Sequence, residues 1–428
     1  MPILPPDHPE RRVLADEVHA RPPESIETPA RATYAAILVD PEERGREHAH
    51  IAALCDRFEV APPQKGATHF AATLGVLRFK WERHGEFSGY MLHVAGESAR
   101  PFGEPASDHL PSGWLAEIPG RTIVAAHAKL VAAGAQPPDA AMLAEHFEGN
   151  VVVGAEIGDG AGVAYTDFRM HEDGCTRFLV LDRSFSPRQT GRMLQRLFEI
   201  EAYRMLALLA LPIARGQTPR ILEIERSLAV LTDNIAGESG DDEALLGELT
   251  KLAAEIESGL AASQSRFGAS RAYHELVRTR IAELRERRIP GVQTIDEFMS
   301  RRLSPAMATC TTVSQRLRDL SERIAQASNL LSTRVDIARE KQNQSLLASM
   351  ERRARLQLRL QQTVEGLSVA AITYYVVGLV AYCAKALHAA GLPLKPDLVA
   401  GVAIPVVVVL VAWGLHRARR RIARADDG

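Results

Sequence analysis

The chain has 428 residues, of which 46 % are apolar, and a net charge of −2. This length admits two or three folded units, and the apolar share excludes a disordered chain. Near-neutral charge excludes the basic field that gathers nucleic acid, so no nucleic-acid partner is expected.

In chain order, the opening stretch MPILPPDHPERR carries prolines and charges where a secretory signal would be apolar. The chain is therefore expected to start in the cytoplasm. The next stretch, LADEVHARPPE, packs Asp16, Glu17, His19 and Arg21 closely together and reads as an arm whose charges pair across an interface.

Residues 1–185 read as a cytoplasmic α/β domain within an α+β protein. Strands are expected over 33–39, 68–81, 87–94, 122–128, 151–157, 162–168 and 176–181, where β-branched and aromatic residues are bounded by Gly, Pro and Asp. Helices are expected over 43–58 and 138–146. His84-Gly85-Glu86 reads as one tight turn, and His171 to Gly174 as a hairpin turn, because Asp-Gly tolerates positive φ. The glycine-rich stretch at 158–162 lies between strands and reads as a turn.

Two-residue spacing would place Glu82, His84 and Glu86 on one face of an extended segment, where they could approach a divalent cation. That is the one cofactor class this pattern suggests. Asp167 and Arg169 follow a strand and read as a structural pair. Glu201 and Arg204 have the spacing of an intrahelical pair.

Residues 186–292 read as a helical domain, with helices over 187–213, 218–235 and 241–288. Pro290-Gly291 then breaks the chain, and Thr294 with Glu297 resembles a capping box. Residues 293–366 read as a stalk helix. Leu317, Leu320, Ile324, Ala327, Leu331, Val335, Ala338 and Gln342 recur in steps of three or four. That seam calls for a coiled-coil partner, either the 241–288 helix or another subunit.

Two uncharged apolar runs, 367–384 and 398–415, close the chain. Each would form about 27 Å of helix, enough for the hydrocarbon core. Transmembrane helices are accordingly expected at 367–388 and 398–416, joined by an outer loop at 389–397 and followed by a basic tail at 417–428. Arg352, Arg353, Arg355 and Arg359 precede the first run. Arg417, Arg419, Arg420, Arg421 and Arg424 follow the second. The positive-inside rule puts both basic flanks in the cytoplasm of a multi-pass inner-membrane protein.

On the first span, Ser368, Ala371, Tyr375, Gly378, Tyr382 and Lys385 form a stripe at helical spacing. It could line a pathway or contact the second span. No GxSxG, Walker A, HExxH or full GxGxxG pattern occurs, so no catalytic or cofactor-binding residue is assigned and an enzyme is disfavoured. The four cysteines, Cys55, Cys175, Cys310 and Cys383, include no CxxC pair, which fits a reducing compartment.

The stretches LADEVHARPPE, FKWERHGEF, YTDFRMHEDG and RLFEIEAYRMLALLALPIAR resemble those of a bacterial family of membrane-anchored proteins of similar length, known as a domain of unknown function. The resemblance covers essentially the whole chain and implies no activity. A bacterial source also fits the Arg- and Ala-rich usage.

The arrangement of domains is similar to that of CorA-type magnesium channels, homopentamers whose first span lines the pore. The Gly-Met-Asn signature of that family is absent; the chain reads AKALHAAGLPLKPD there. A ring of Lys385 would also repel cations. No site residue is carried over.

Three functions are expected in decreasing order. The first is an oligomeric ion-transport protein with a cytoplasmic regulatory domain. The second is a membrane-anchored binding or scaffold module. The third is a tethered enzyme using His19, His84 and Asp167.

Overall fold

The computed structural model describes residues 5–17, 22–134, 138–237, 241–390 and 395–426, apart from the side chains of Val13, Asp16, Glu17, Leu415 and residues 418–426. The protein is mixed α+β, and the chain divides into two compact units, Met1–Ser328 and Asn329–Gly428.

The first unit opens with helix α1 (Arg11–Glu17), strand β1 (Ala30–Leu38) and helix α2 (Arg44–Arg57). Strands β2 (His69–Leu74), β3 (Leu77–Arg83), β4 (Phe87–Ala95) and β5 (Arg121–Ala132) follow. A short helix α3 (Ala140–His146) precedes strands β6 (Val153–Ile157), β7 (Gly162–Thr166) and β8 (Thr176–Asp182). Three helices come next: α4 (Pro187–Leu208), α5 (Ala210–Ala236) and α6 (Asp242–Leu284). A two-residue strand β9 (Arg287–Arg288) then leads to helices α7 (Ile295–Ala389) and α8 (Pro396–Asp426).

The strands form one nine-stranded sheet in the order β2-β3-β4-β1-β5-β8-β7-β6-β9. Neighbours pair antiparallel except β5 and β8, which run parallel with His127 opposite Arg177.

Alternation along the strands sorts the two faces. Ala35, Ile37, Phe79, Trp81 and Leu92 join Ile51, Leu54 and Cys55 of α2 in a buried cluster that also takes Trp114. The intervening residues meet α4. Tyr34 stacks on Phe198 at 5.0 Å, and the Lys80 ammonium donates to Gln195 Oε1 at 3.3 Å. Helix α4 starts at a Ser186–Gln189 capping box. A Cβ at Gly191 would collide with the carbonyl of Glu24, so this position lets residues 22–25 lie directly on the helix.

Several details differ from the expected elements. The run 68–81 is two strands hinged at Gly75, whose φ is +66°. The third long helix ends at Leu284, after which Arg285 in the left-handed conformation turns the chain into β9. Helix α7 begins at Ile295 and continues through Pro305. Buried Leu303, Met307 and Cys310 flank that proline, so packing outweighs its cost. Thr294 Oγ1 accepts the Glu297 N–H at 3.1 Å and the Glu297 carboxylate accepts the Thr294 N–H at 3.3 Å, completing a capping box.

Within the first unit, α7 packs on α5 and α6. Arg316 pairs with Glu225 at 2.7 Å, and Ser321 donates to Glu257 at 2.5 Å. In this unit the seam is buried from Leu317 to Ala327.

In the second unit, residues 336–364 of α7 are exposed on every side. Helix α7 and α8 (over Pro396–Gly414) each contain a segment long and apolar enough to cross a membrane. Over the apolar part of α7, Ala384 is buried and Val369, Thr373, Val376, Val377, Val380 and Ala381 are half-shielded, as is Gly378 outside that row. On α8 the half-shielded positions are Pro396, Val399, Ala400, Ala403, Val407 and Val411. Each set falls on one face at helical spacing, as two helices packed side by side require.

Candidate functional site

Two turns rich in acids and histidine were singled out by the sequence, and they are built differently. At the β3–β4 turn, the His84 N–H bonds Phe87 O at 2.8 Å and the His84 ring stacks on Phe87 at 4.2 Å. Glu82 pairs with Lys80 at 2.9 Å, and Glu86 pairs with Arg266 of α6. Glu82, His84 and Glu86 are thus drawn to three different neighbours instead of converging on a cation. Trp81 on the opposite face donates to buried Glu47 at 3.1 Å, and Tyr90 donates to the same oxygen at 2.7 Å. The segment is a polar lock between the sheet and the helices on both of its faces.

The β7–β8 connection, residues 167–175, is the candidate site. Asp167 has a fully buried side chain. One carboxylate oxygen takes the His171 ring at 2.9 Å and the Asn150 amide at 2.9 Å. The other accepts the backbone N–H of Arg169 at 3.1 Å. The expected Asp167–Arg169 pair is therefore a backbone contact and leaves the guanidinium free to point elsewhere.

The second His171 nitrogen lies 3.1 Å from Glu148, so only the imidazolium form donates to both carboxylates at once. That hydrogen bond holds the Glu148 carboxyl below its usual range, helped by Arg177 at 2.9 Å.

Between Asp167 and Arg169, Phe168 adopts a left-handed φ of 51°. That conformation costs a bulky residue about 1–3 kcal/mol unless its surroundings hold it. Phe298 stacks on its ring at 5.0 Å, Phe178 meets it edge-on at 6.1 Å, and the Arg204 guanidinium sits 5.5 Å from its centroid. Arg204 is in turn gripped by the buried Glu201 carboxylate at 2.6 and 2.8 Å. The helix pair noted in the sequence therefore braces the hairpin.

Beside this hairpin lies a cleft of about 620 Å³ lined by Asn150, Asp167, Phe168, Arg169, Gln293 and Arg302 among others. Arg169 and Arg302 are exposed, and among the described residues neither guanidinium has an ion-pair partner. The cleft thus offers two free guanidiniums, two side-chain amides and an aromatic wall, a donor set suited to carboxylate or phosphate groups.

At the far end of the same hairpin, His127, Asp173 and Cys175 bring one donor atom each within 4.8 Å of one another. Burial pushes the Cys175 thiol up to about 12 and the His127 imidazole below its usual value.

Sequence reasoning missed His127, Cys175, Gln293 and Arg302 as site residues. The hairpin motif was visible, but its neighbours come from β5, from the segment ahead of α7 and from the first turns of α7 itself. Of the N-terminal arm, Asp16 and Glu17 fall in α1 with undescribed side chains, and His19 and Arg21 lie outside the described residues. On α7, Ser368, Ala371, Tyr375, Tyr382 and Lys385 are exposed and Gly378 is half-shielded. This stripe falls largely opposite the shielded face.

No curated protein and no solved structure matches the chain. The family described as protein of unknown function (DUF3422) matches residues 6–422. With nearly the whole sequence covered, the hairpin, its bracing helix and both apolar helices included, the chain belongs to that family.

Proposed function

We propose that this is a membrane-anchored binding protein, with α8 and the end of α7 as a two-helix anchor and the cleft beside Asp167 as its ligand site. The observation that carries the reading is the pair of free guanidiniums on a cleft whose wall is held in a strained, braced conformation. By contrast, Arg196 and Arg204 on α4 and Arg280 on α6 are paired. The ligand class is a small anion bearing carboxylate or phosphate. Exposed apolar faces on α8 and the basic residues flanking both apolar runs support anchoring in a cytoplasmic membrane with both termini inside.

The test uses the full-length protein in detergent and follows thermal unfolding with inorganic phosphate and with a series of mono- and dicarboxylates. A saturable rise in Tm is expected for at least one probe, and Arg169→Ala/Arg302→Ala should abolish it. An equal rise in the double variant, or none with any probe, overturns the reading.

A second reading is an oligomeric ion pathway of CorA-like architecture. One observation favours it: the small-and-polar stripe of α7 points largely away from the shielded face and stays available to another subunit. The exposed helix at 336–364 bears Leu346, Leu347, Met350, Leu356 and Leu360, and a helix so long and bare gains its stability from a partner. Light scattering on the detergent-solubilised chain separates the readings. A ring of about five copies favours the pathway, and a monomer or dimer leaves no axial pore.

A further inference from the structure

We infer that His127, Asp173 and Cys175 form a binding site for one divalent transition-metal ion, zinc by preference. Among the described residues, they are the one group of three or more His, Cys and carboxylate donors gathered this closely. Tetrahedral ligands about 2.1–2.3 Å from zinc stand roughly 3.4–3.8 Å apart. Atoms already within 4.8 Å therefore reach bonding distance by small side-chain rotations. Imidazole, thiolate and one carboxylate suit zinc and cobalt better than calcium or magnesium, which take oxygen donors.

The fold holds these donors in place. Parallel pairing sets Ala126 beside Thr176 and His127 beside Arg177, so β5 holds His127 close to Cys175, the residue just ahead of β8. Asp173 is fixed by accepting the Cys175 N–H at 2.9 Å. His127 Nδ1 lies 3.0 Å from Thr33 Oγ1, and that oxygen also accepts the Ser107 N–H at 3.3 Å. With its second lone pair, the Thr33 hydroxyl can accept Nδ1–H, which leaves the Nε2 lone pair for a metal.

The nearest competing cation is Arg177. It lies 4.0 Å from Asp173 but 2.9 Å from Glu148, and its guanidinium lies 5.4 Å from the Phe102 ring, so its charge is engaged elsewhere. With three protein ligands, the ion keeps a fourth position for water, the arrangement of a reactive or exchangeable site and not of a closed structural one. On binding, the Cys175 S–H bond breaks, a sulfur–metal bond forms and one proton passes to solvent.

The experiment titrates chelator-treated, full-length protein in detergent with Co²⁺ and then Zn²⁺. One equivalent of Co²⁺ should give a sulfur-to-cobalt charge-transfer band that Zn²⁺ displaces. Cys175→Ser should remove that band. Asp173→Asn keeps an acceptor for the Cys175 N–H and should weaken binding at least ~10-fold, as should Thr33→Val, which removes the hydroxyl that orients the imidazole together with its contact to the Ser107 N–H. Thermal unfolding of the metal-free variants checks their folding, and Asp173→Asn provides the test if Cys175→Ser does not fold. Absence of the band in the unaltered protein, its persistence in Cys175→Ser, or unchanged affinity in folded Asp173→Asn overturns the assignment.

Discussion

The β3–β4 turn and the β7–β8 hairpin are written in similar residues, yet one is closed and the other open. In the first, Glu82 and Glu86 each have a cationic partner, and both faces of β3 are covered by helices. In the second, Asp167 is more deeply buried, but it organises the loop through His171, Asn150 and a backbone N–H and leaves Arg169 unpaired. A buried carboxylate satisfied by a neighbouring cation fastens elements together. One satisfied by an amide, a backbone N–H and a histidine of its own loop can shape that loop and leave nearby charges for a ligand.

The comparison breaks most visibly at Lys80. Its ammonium reaches Glu82, the carbonyl of Pro22 and Gln195, so Lys80→Met strands a largely buried carboxylate. We expect about 3 kcal/mol of destabilisation by chemical denaturation, with anion binding at the cleft retained once folding is restored by lower temperature. A loss under ~1 kcal/mol would show that this turn is no lock.

Asp167→Ala should cost less, about 2 kcal/mol for the donors left unsatisfied, but should also abolish anion binding because the loop loses its organiser. Stability lost with binding intact would make the hairpin a second lock. In contrast, Arg169→Ala/Arg302→Ala should leave stability within ~0.5 kcal/mol.

A subtler difference concerns pH. Burial lowers His93 to about 4 and also lowers His127, His146 and His274. The unfolded chain binds protons on these groups from about pH 6.5 downward while the folded protein resists, so their contribution is present above 6.5 and is lost toward pH 4.

Glu286 acts in the opposite sense. Its carboxylate accepts the Ile295 and Asp296 N–H groups at 3.0 Å each, and burial raises it to about 7. The folded state therefore holds its proton more tightly, and stability falls as pH rises from about 4.5 through 7. The four histidines outweigh the one carboxylate, so Tm should drop between pH 6.5 and 4.5. Glu286→Gln should steepen that drop, and a flatter profile in this variant would contradict the assignment.

Much of the fold was legible because it is local. Alternation, Asp-Gly and Gly-rich turns, the Thr294–Glu297 box and the two apolar runs each announce themselves within a few residues. Strand β9 did not, because two arginines carry no strand signal and pair only where Ala155 and Glu156 receive them. The split of the 68–81 run was hidden because Gly75 sits inside an otherwise continuous apolar pattern. The candidate site was half legible. Its hairpin reads directly from the sequence, but Arg302 and Gln293 arrive from beyond three helices. The Glu82, His84 and Glu86 spacing suggested a cation on local grounds, whereas the gathered donors, His127 and Cys175, are 48 positions apart.

That separation has a kinetic consequence. Strands β5 and β8 can pair only after the intervening chain, with α3 and the β6–β7 hairpin, has looped out and returned, and β1 reaches β5 across a longer stretch still. Closing so long a loop is disfavoured until native contacts repay it. Strand β5, which carries His127 and closes long loops to both neighbours, should therefore join late, so substitutions there should speed unfolding and leave the refolding rate almost unchanged.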